Sequence, residues 1–451
     1  MPTVLVYRCA TVLLWALAVY DSAVCRSLFW DGAAFLVNVI DKRGFHDFYP
    51  ARAHVGWVTQ LPVLLAVKLG LTDTRLLAMI QSAALFALPL GLYQLALWRV
   101  RSDATLLAAV LAILALVYLP TSFFIIGEYN ATYAAATAAI AIVLTGGARA
   151  RRDGLLLCLL AALCLRSYEA MIYLGPLLAL AALWWTERVP RDDAPARAMG
   201  LAAAIGFMGG AAVAGFTVVE YWNHPHFTLV RAAVLDFWQN LQFVVPISAL
   251  ALFGLVSLVH PAWLRGAGPL VVIGLTALLL AALPLTRQLD PEAMLFPPAH
   301  YVARTAAGCT VWAFLAAMWL LAAWRRDPPR LLAVLREPTV GRRLATATLA
   351  LLLGAAVPDV ALTRLWSDHL AYLRDLVSSR SGTIPFRDLP TRDWPYRLFS
   401  QEWTFPALTS VLRDAPGQVV VLGPEGPSDT MPFDSRCGTL PRLDGYRWGG
   451  K

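Results

Sequence analysis

Charged residues are scarce in this chain. Asp, Glu, Lys and Arg make up 15% of its 451 residues, whereas 59% are apolar, and the mean hydropathy is +0.61. This composition is too apolar for a chain of several soluble domains and is typical of a polytopic membrane protein. We therefore expect an all-α fold in which most of the chain crosses a membrane.

The sequence also lacks the short motifs of metal and nucleotide sites. Its six cysteines form no CxxC pair, and no Cys/His cluster has the spacing of metal ligands. A Walker loop, a GxGxxG turn after a strand, an HExxH helix and a GxSxG elbow are all missing, so nothing supports nucleotide or zinc chemistry. A disulfide between Cys25 and Cys437 is left open, because the sequence does not show how far apart they lie.

Positive charge is concentrated in short loops. The net charge is +8, and most of the excess is arginine between apolar segments, where positive charge normally fixes the orientation of membrane helices. We therefore expect no nucleic-acid partner. Arginine is abundant and lysine nearly absent, which indicates a bacterial source and an inner-membrane location.

Apolar runs long enough to cross about 30 Å of hydrocarbon predict about eleven transmembrane helices. They lie near residues 3–21, 75–98, 104–125, 130–146, 154–167, 170–186, 199–220, 237–259, 268–286, 303–324 and 343–363. A further run at 56–71 is predicted to lie along the outer interface, because a crossing there would place the basic loops outside, against the positive-inside rule. The N-terminus is then cytoplasmic, residues 1–363 form the transmembrane domain, and residues 364–451 form a small extracytoplasmic α+β domain.

Residues 22–74 form a long first external loop with two predicted interfacial helices, near 31–42 and 56–71. The aromatic residues of the stretch "FWDGAAFLVNVIDKRGFHDFYPARAHVGW" suit the headgroup level of a membrane. Pro62 falls near the start of the second helix, where it is better tolerated than in the middle of a membrane span.

Asp31 is the first candidate for chemistry in this loop. It follows Trp30 and precedes Gly32 at the start of the first interfacial helix. A carboxylate partly desolvated against aromatic rings can act as a general base. Asp is also a favourable N-cap residue, stabilising a helix by about 1 kcal/mol, and the two roles are compatible.

Other polar residues of the loop have simpler interpretations. Asp41 and Asp47 flank the sequence KRGFH and are expected to pair with Lys42 and Arg43. His46 is expected to be an interfacial side chain rather than a ligand.

Charged residues also occur in two later external turns. "IIGEYNATY" contains Glu128 and "LRSYEAMIY" contains Arg166 and Glu169. Charges at helix ends that face a bundle are functional candidates, although Glu128 can equally lie in a solvated turn, and Arg166 can pair with Glu169 three residues away. Arg52 and Arg304 are candidates for binding a lipid phosphate, since a guanidinium binds phosphate bidentately. Arg52 can alternatively anchor the loop to lipid headgroups.

The layout as a whole resembles the GT-C superfamily of integral-membrane glycosyltransferases, which includes protein O-mannosyltransferases, aminoarabinose transferases and arabinofuranosyltransferases. The resemblance rests on the N-terminal helix, the acid early in the first external loop, the interfacial helix entered through "TQLPVLL", and "TRLLAMIQSAALFALPLGLYQLALWR" descending to a basic loop. It implies that Asp31 is the catalytic carboxylate, acting as general base, and that Glu128 is a second acidic residue of the site. Many members carry a paired acid in the first loop, whereas here Asp31 is followed by Gly32.

This resemblance also implies a donor, an acceptor and a location. The donor is a polyprenyl-phosphate-linked sugar, the acceptor is a protein or glycan hydroxyl, and transfer occurs with inversion on the extracytoplasmic face beside membrane lipids. Arg52, Arg166 and Arg304 would bind the lipid phosphate, with Glu169, Asp41, Asp47 and His46 as supporting residues. A divalent metal ion bridging Asp31 and Glu128 is left open.

Two other classes of function fit the same sequence. A flippase or exporter for a lipid-linked glycan would also have many helices and external arginines, although few unpaired charges lie at the middle of the predicted spans. A non-catalytic scaffold that binds a partner through its tail would leave the acids of three external turns unexplained.

Overall fold

The structure, a computed structural model, describes residues 1–46, 50–122, 127–146, 149–223, 241–286, 299–324, 327–389, 399, 404–415, 418, 420–422, 443 and 445–449. Nearly all regular structure in these residues is helical. The α-helices are α1 (Thr3–Ala23), α2 (Gly32–Lys42), α3 (Ala53–Lys68), α4 (Thr74–Val100), α5 (Ala104–Ile113), α6 (Leu119–Ser122), α7 (Glu128–Thr145), α8 (Ala150–Cys164), α9 (Met171–Arg188), α10 (Ala194–Glu220), α11 (Leu241–Val259), α12 (Gly268–Thr286), α13 (Ala299–Ala323), α14 (Arg330–Leu335), α15 (Pro338–Ser379) and α16 (Phe405–Val411).

Shorter elements connect or extend these helices. A π-helical turn, Leu114–Tyr118, joins α5 to α6. 3-10 helices occur at Arg26–Leu28, Pro50–Arg52, Pro261–Arg265 and Phe386–Asp388. The strands β1 (Thr383–Pro385) and β2 (Val420–Leu422) pair in parallel, with Ile384 opposite Val421. β2 lies in the sequence "GQVVVLGP", in which a short valine-rich run is bounded by glycine and proline, as is typical of a strand.

An aspartate caps the N-terminus of α4, α5 and α10. Asp73 accepts hydrogen bonds from the first free N–H groups of α4, Asp103 does so for α5, and Asp193 does so for α10. Each cap satisfies donors that the helix itself leaves unpaired. Polar caps therefore set where apolar runs in the sequence become separate helices.

Seven helices in the described part of the chain are long and apolar enough to cross a membrane. They are Thr3–Ala23, Thr74–Val100, Ala104–Ser122, Ala194–Glu220, Gly268–Leu285, Ala306–Ala323 and Pro338–Ser379. The architecture is thus that of an all-α multi-pass membrane protein, whereas the expected count of eleven crossings stays a prediction. Helices α2 and α3 are found close to the two positions predicted for interfacial helices, and α3 contains Pro62. That they lie at the membrane interface stays a prediction.

Several arginine-rich loops between helices contact one another at one end of the bundle. We call this end the "basic end". Arg99, at the end of α4, pairs with Asp153 of α8 at 2.8 Å. Thr105 Oγ1, at the start of α5, donates to the Leu335 carbonyl of α14 at 2.7 Å. Two further ion pairs there are Arg151–Asp193 and Arg265–Glu337. The loops that the sequence assigns to one side of the membrane therefore share one end of the fold.

The first loop and the C-terminal tail meet at the opposite end, the "loop end". Thr74 Oγ1 donates to the Val411 carbonyl at 2.7 Å, and the N–H of Arg447 donates to the Thr72 carbonyl at 3.1 Å. Phe29 packs edge-on against Trp366 at 5.6 Å between ring centroids. The tail thus lies directly against the first loop.

Helix α15 passes through the expected domain boundary at residue 364 and ends at Ser379. Beyond the apolar run, Trp366, Leu370, Leu373 and Val377 are buried. These positions recur at helical spacing, so the polar-looking sequence after residue 363 forms an amphipathic continuation of the helix. The division into domains at 364 stays a prediction.

Candidate functional site

Backbone packing fixes the position of Asp31 at the loop end. The next residue, Gly32, lies so close to the first loop that a Cβ atom there would be 1.6 Å from the Ser27 carbonyl oxygen. The Gly32 carbonyl accepts a hydrogen bond from Gln81 Nε2 of α4 at 2.9 Å. Trp30, just before Asp31, has a φ of 57°, a left-handed conformation that is uncommon for a bulky residue.

Asp31 occupies the N-cap position of α2, but its side chain accepts no cap hydrogen bond. The favourable N-cap that the residue type predicts is therefore not formed. The side chain is half-buried. A carboxylate held in a strained turn that does not serve as a cap is a reasonable place to look for a reactive group.

A small cleft of about 20 Å³ lies beside this turn, which is room for about one water molecule. Its walls come from α2, α3 and α4, and Glu128 closes one side. Thr59, Gln60 and Gln81 contribute polar groups. The walls are otherwise apolar.

Glu128 is the first residue of α7 and is 5% exposed. It follows Gly127, whose φ of 80° turns the chain into the helix. A carboxylate at a helix N-terminus is stabilised by the helix dipole. Glu128 therefore lies in a buried cleft rather than in the solvated turn that was its alternative interpretation.

Arg52 and Glu169 form an ion pair between the first loop and the turn before α9. Arg52 Nε and Nη2 donate to Glu169 Oε1 at 3.0 and 2.8 Å, and the side chains are only 11% and 15% exposed. The guanidinium also lies over the Tyr168 ring at 5.2 Å, where a cation is attracted to the aromatic face.

The Arg52 guanidinium also lies in the field of Glu128. Burial works to lower the pKa of Arg52, but the charges of Glu169 and Glu128 and the Tyr168 hydroxyl outweigh it and raise the pKa above its usual range. Arg52 therefore stays charged, and three residues from separate stretches of the sequence share one site. We refer to Arg52, Glu169 and Glu128, together with Asp31 at the turn beside the cleft, as the loop-end site.

Arg166 lies next to this group. Its guanidinium is over the Trp57 ring at 5.9 Å, and its carbonyl accepts the His54 N–H at 3.0 Å. The sequence left open a pair between Arg166 and Glu169, but Glu169 instead holds Arg52. These contacts pack the start of α3 against the turn between α8 and α9.

The other expected site residues fall outside this group. Asp41 is exposed near the end of α2, whereas His46 is buried and its ring packs on Phe35 at 4.5 Å. The His46 N–H donates to Gln60 Oε1 at 2.7 Å, and Gln60 Nε2 donates to the His46 carbonyl at 2.9 Å. These contacts give His46 a structural role, and its expected place at the membrane interface stays a prediction. Asp47 and the side chain of Arg304 lie outside the described residues. Cys25 is a free buried thiol. Cys437, its possible disulfide partner, lies outside the described residues.

A buried charge cluster was missed by the sequence reasoning. Arg26 donates to Asp21 and Asp359 carboxylate oxygens, each at 2.9 Å, and to Thr363 and Ser122 hydroxyls at 2.8 and 2.9 Å. All five side chains are buried. The available signal was Asp359, which lies within the apolar run 343–363, where an ionisable residue is a functional or structural marker.

Metal binding is not indicated by the described side chains. Among them, no group of three or more His, Cys, Asp or Glu residues lies close enough to hold a metal ion. Glu169 is already engaged by Arg52, so Asp31 and Glu128 are the carboxylates to test. A bridging divalent ion stays a prediction.

Comparison with known proteins returns no relative. No family model matches the chain, and no curated protein and no solved structure matches it.

Proposed function

We propose that this protein is a membrane glycosyltransferase of the GT-C type, which moves a sugar from a polyprenyl phosphate to a hydroxyl of a protein or glycan acceptor. The observation that carries the proposal is the loop-end site, in which Arg52 is held by Glu169 and lies in the field of Glu128. Glu128 and Gln81 line the cleft, and Gln81 bonds to the turn that carries Asp31. In this proposal the loop end is the periplasmic face of a bacterial inner membrane, with the N-terminus in the cytoplasm.

Asp31 is the proposed general base. Its carboxylate takes the proton of the acceptor hydroxyl while that oxygen attacks the anomeric carbon of the sugar. The bond from the anomeric carbon to the phosphate oxygen breaks, and polyprenyl phosphate leaves with the bonding electron pair. Attack opposite the leaving group inverts the anomeric centre. A positioned base contributes about 10²- to 10⁴-fold to the rate.

Arg52 and Arg166 are the proposed phosphate-binding residues. The departing phosphate gains negative charge, and a preorganised cation in a water-poor site stabilises it better than a mobile one. Glu169 orients the Arg52 guanidinium through two hydrogen bonds to a single oxygen. Fixing the geometry before the reaction lowers the cost of aligning donor and acceptor.

Glu169 can also contact the sugar. Its other oxygen, Oε2, is buried and has no hydrogen-bond partner in the described part of the protein. A buried acceptor without a partner costs about 1–3 kcal/mol, which a donor sugar hydroxyl would recover. Glu128 is proposed as a second acid of the cleft, positioned to accept another hydroxyl of the donor or to share a divalent ion with Asp31.

A transporter of lipid-linked glycans is the second candidate. The observation that favours it is the buried Arg26 cluster, because ionisable groups within membrane spans often mark a transport pathway. Its charges are engaged with one another and with two hydroxyls, which fits a structural connection at least as well. The transferase therefore remains the proposed function.

The two candidates are separated by one assay of the wild-type protein. We would reconstitute it in liposomes with polyprenyl-phosphate sugars radiolabelled in the sugar and add membrane extract as acceptor. Movement of the label into acceptor, with an equal amount of free polyprenyl phosphate, supports the transferase. Transfer of intact donor between leaflets without loss of sugar supports the transporter and contradicts the proposed reaction.

A further inference from the structure

A second, larger cavity lies far from the loop-end site. It encloses about 300 Å³ between α5, α11, α12, α13 and α15, and its lining includes Ala112, Ala249, Ile273, Phe314 and Leu351. Thr105, at the start of α5, belongs to the lining, and its hydroxyl bonds to Leu335 of α14. The cavity therefore lies towards the basic end of the bundle.

The described lining of the cavity is apolar apart from three threonines. Thr105 donates to the Leu335 carbonyl at 2.7 Å, Thr276 to the Val272 carbonyl at 2.8 Å and Thr348 to the Leu344 carbonyl at 2.9 Å. Each hydroxyl thus has a partner in the backbone. Apolar cavities of about 150 Å³ stay dry and accept apolar guests, so hydrocarbon rather than water fits this space.

The short helix α14 closes the cavity at the basic end. Leu331, Leu332 and Leu335 face the lining, and the bond from Thr105 to Leu335 ties this helix to α5. Arg330 precedes the three leucines and is exposed. An apolar face directed inward and a cationic residue directed outward are the features of a helix at a membrane surface.

Further arginines lie near this end of the cavity. Arg336 follows α14 and donates to the Leu321 carbonyl at the end of α13 through Nε at 3.2 Å. Arg343 is exposed and precedes Leu344, a lining residue. Basic residues near a membrane surface attract anionic lipid headgroups. This end of the cavity is therefore complementary in charge to an anionic headgroup whose chain occupies the cavity.

We propose that this cavity binds one acyl chain of an anionic phospholipid, with the lipid headgroup beside Arg330 and Arg343. The proposal does not depend on the transferase function. The proposed donor lipid has its phosphate at the loop end, so it would approach the bundle from the opposite side. A phospholipid of the leaflet at the basic end has both the chain and the charge that the cavity requires.

Photocrosslinking of the full-length protein tests the proposal. The protein is reconstituted in phosphatidylglycerol vesicles that contain a trace of phosphatidylglycerol with a diazirine in one acyl chain, irradiated, digested and analysed by mass spectrometry. We expect adducts in the lining peptides around residues 246–253 and 314–321. Adducts only on outward-facing residues of the bundle would overturn the proposal.

Filling the cavity provides the matched comparison. Ala112→Phe with Ala249→Phe places two rings in it, whereas Ala202→Phe adds one ring at an exposed position of α10. Lining adducts should fall at least about tenfold in the filled protein, since each methylene group that loses its apolar contact weakens binding several-fold. They should stay at the wild-type level in the Ala202→Phe protein. Unchanged adducts in the filled protein, or an equal loss in both, would contradict the proposal.

Two further measurements keep the result unambiguous. Each variant is checked by size-exclusion elution, and if the double variant aggregates, Ala249→Leu alone is used with the same expected direction. A photoactivatable polyprenyl phosphate is run in parallel. Labelling of the lining by this probe but not by the phospholipid would overturn the assignment to an acyl chain.

Discussion

Arg26 and Asp359, 333 positions apart in the chain, meet at 2.9 Å inside the protein. The same guanidinium contacts Asp21 of α1 and Ser122 of α6. Four segments are therefore held by one buried cation. Since a buried charge is strongly disfavoured without its partners, this cluster restricts how these segments can pack and fixes the point where the first loop leaves α1.

Arg26→Gln is expected to destabilise the protein by about 3–5 kcal/mol, the usual cost of leaving buried charges without a partner. Arg151→Gln is the control, because Arg151 is 69% exposed in its pair with Asp193, and exposed pairs contribute at most about 1 kcal/mol. Thermal unfolding in detergent measures the difference. Combining Arg26→Gln with Asp359→Asn should recover part of the loss. Equal unfolding temperatures for the two single variants would contradict the importance of the cluster.

Gly32→Ala is expected to disrupt the turn that carries Asp31. The new methyl group would lie 1.6 Å from the Ser27 carbonyl oxygen, and overpacking against backbone costs at least about 3 kcal/mol when nothing can move aside. Gly91→Ala, in the exposed part of α4 with no atom within 4 Å of the new Cβ, should be neutral or stabilising by up to about 1 kcal/mol. Unfolding temperatures and yield of folded protein compare the two. A fully stable Gly32→Ala protein would show that the turn is not as tight as described.

Arg52→Gln is expected to lower kcat/KM for the donor, with a fall in kcat, because the guanidinium stabilises the charge that the phosphate gains as it leaves. Loss of charge-assisted hydrogen bonds costs about 1.5–3 kcal/mol, so kcat/KM should fall at least about tenfold. Arg43→Gln, an exposed change in the same loop, is the control. Steady-state assays with varied donor measure both constants. An unchanged kcat/KM for Arg52→Gln would remove Arg52 from the phosphate site.

The sequence was most informative about helices. Runs of apolar residues predicted helices close to those found, and acids before such runs identify where α4, α5 and α10 begin. Helix α15 extends further than its apolar run because residues after 363 bury one face only. A hydropathy criterion does not detect an amphipathic stretch of this kind.

Long-range pairing was the part that the sequence could not give. Arg52 and Glu169 were both recognised as candidates, but their mutual contact depends on how the first loop packs on the turn before α9. Asp21 reads as an ordinary residue at a helix end, and only the fold brings it to Arg26. Burial of Glu128 likewise depends on α2, α3 and α4, which surround it.

The most direct test of the proposed reaction compares Asp31→Asn with Asp41→Asn, two carboxylates at opposite ends of α2. Asn has nearly the volume of Asp but no basic carboxylate. The account predicts that kcat for sugar transfer falls by about 10²- to 10⁴-fold in Asp31→Asn, with a nearly unchanged KM for donor and a normal fold, and that Asp41→Asn keeps wild-type turnover. Wild-type kcat in Asp31→Asn would contradict the assignment of Asp31 as the base.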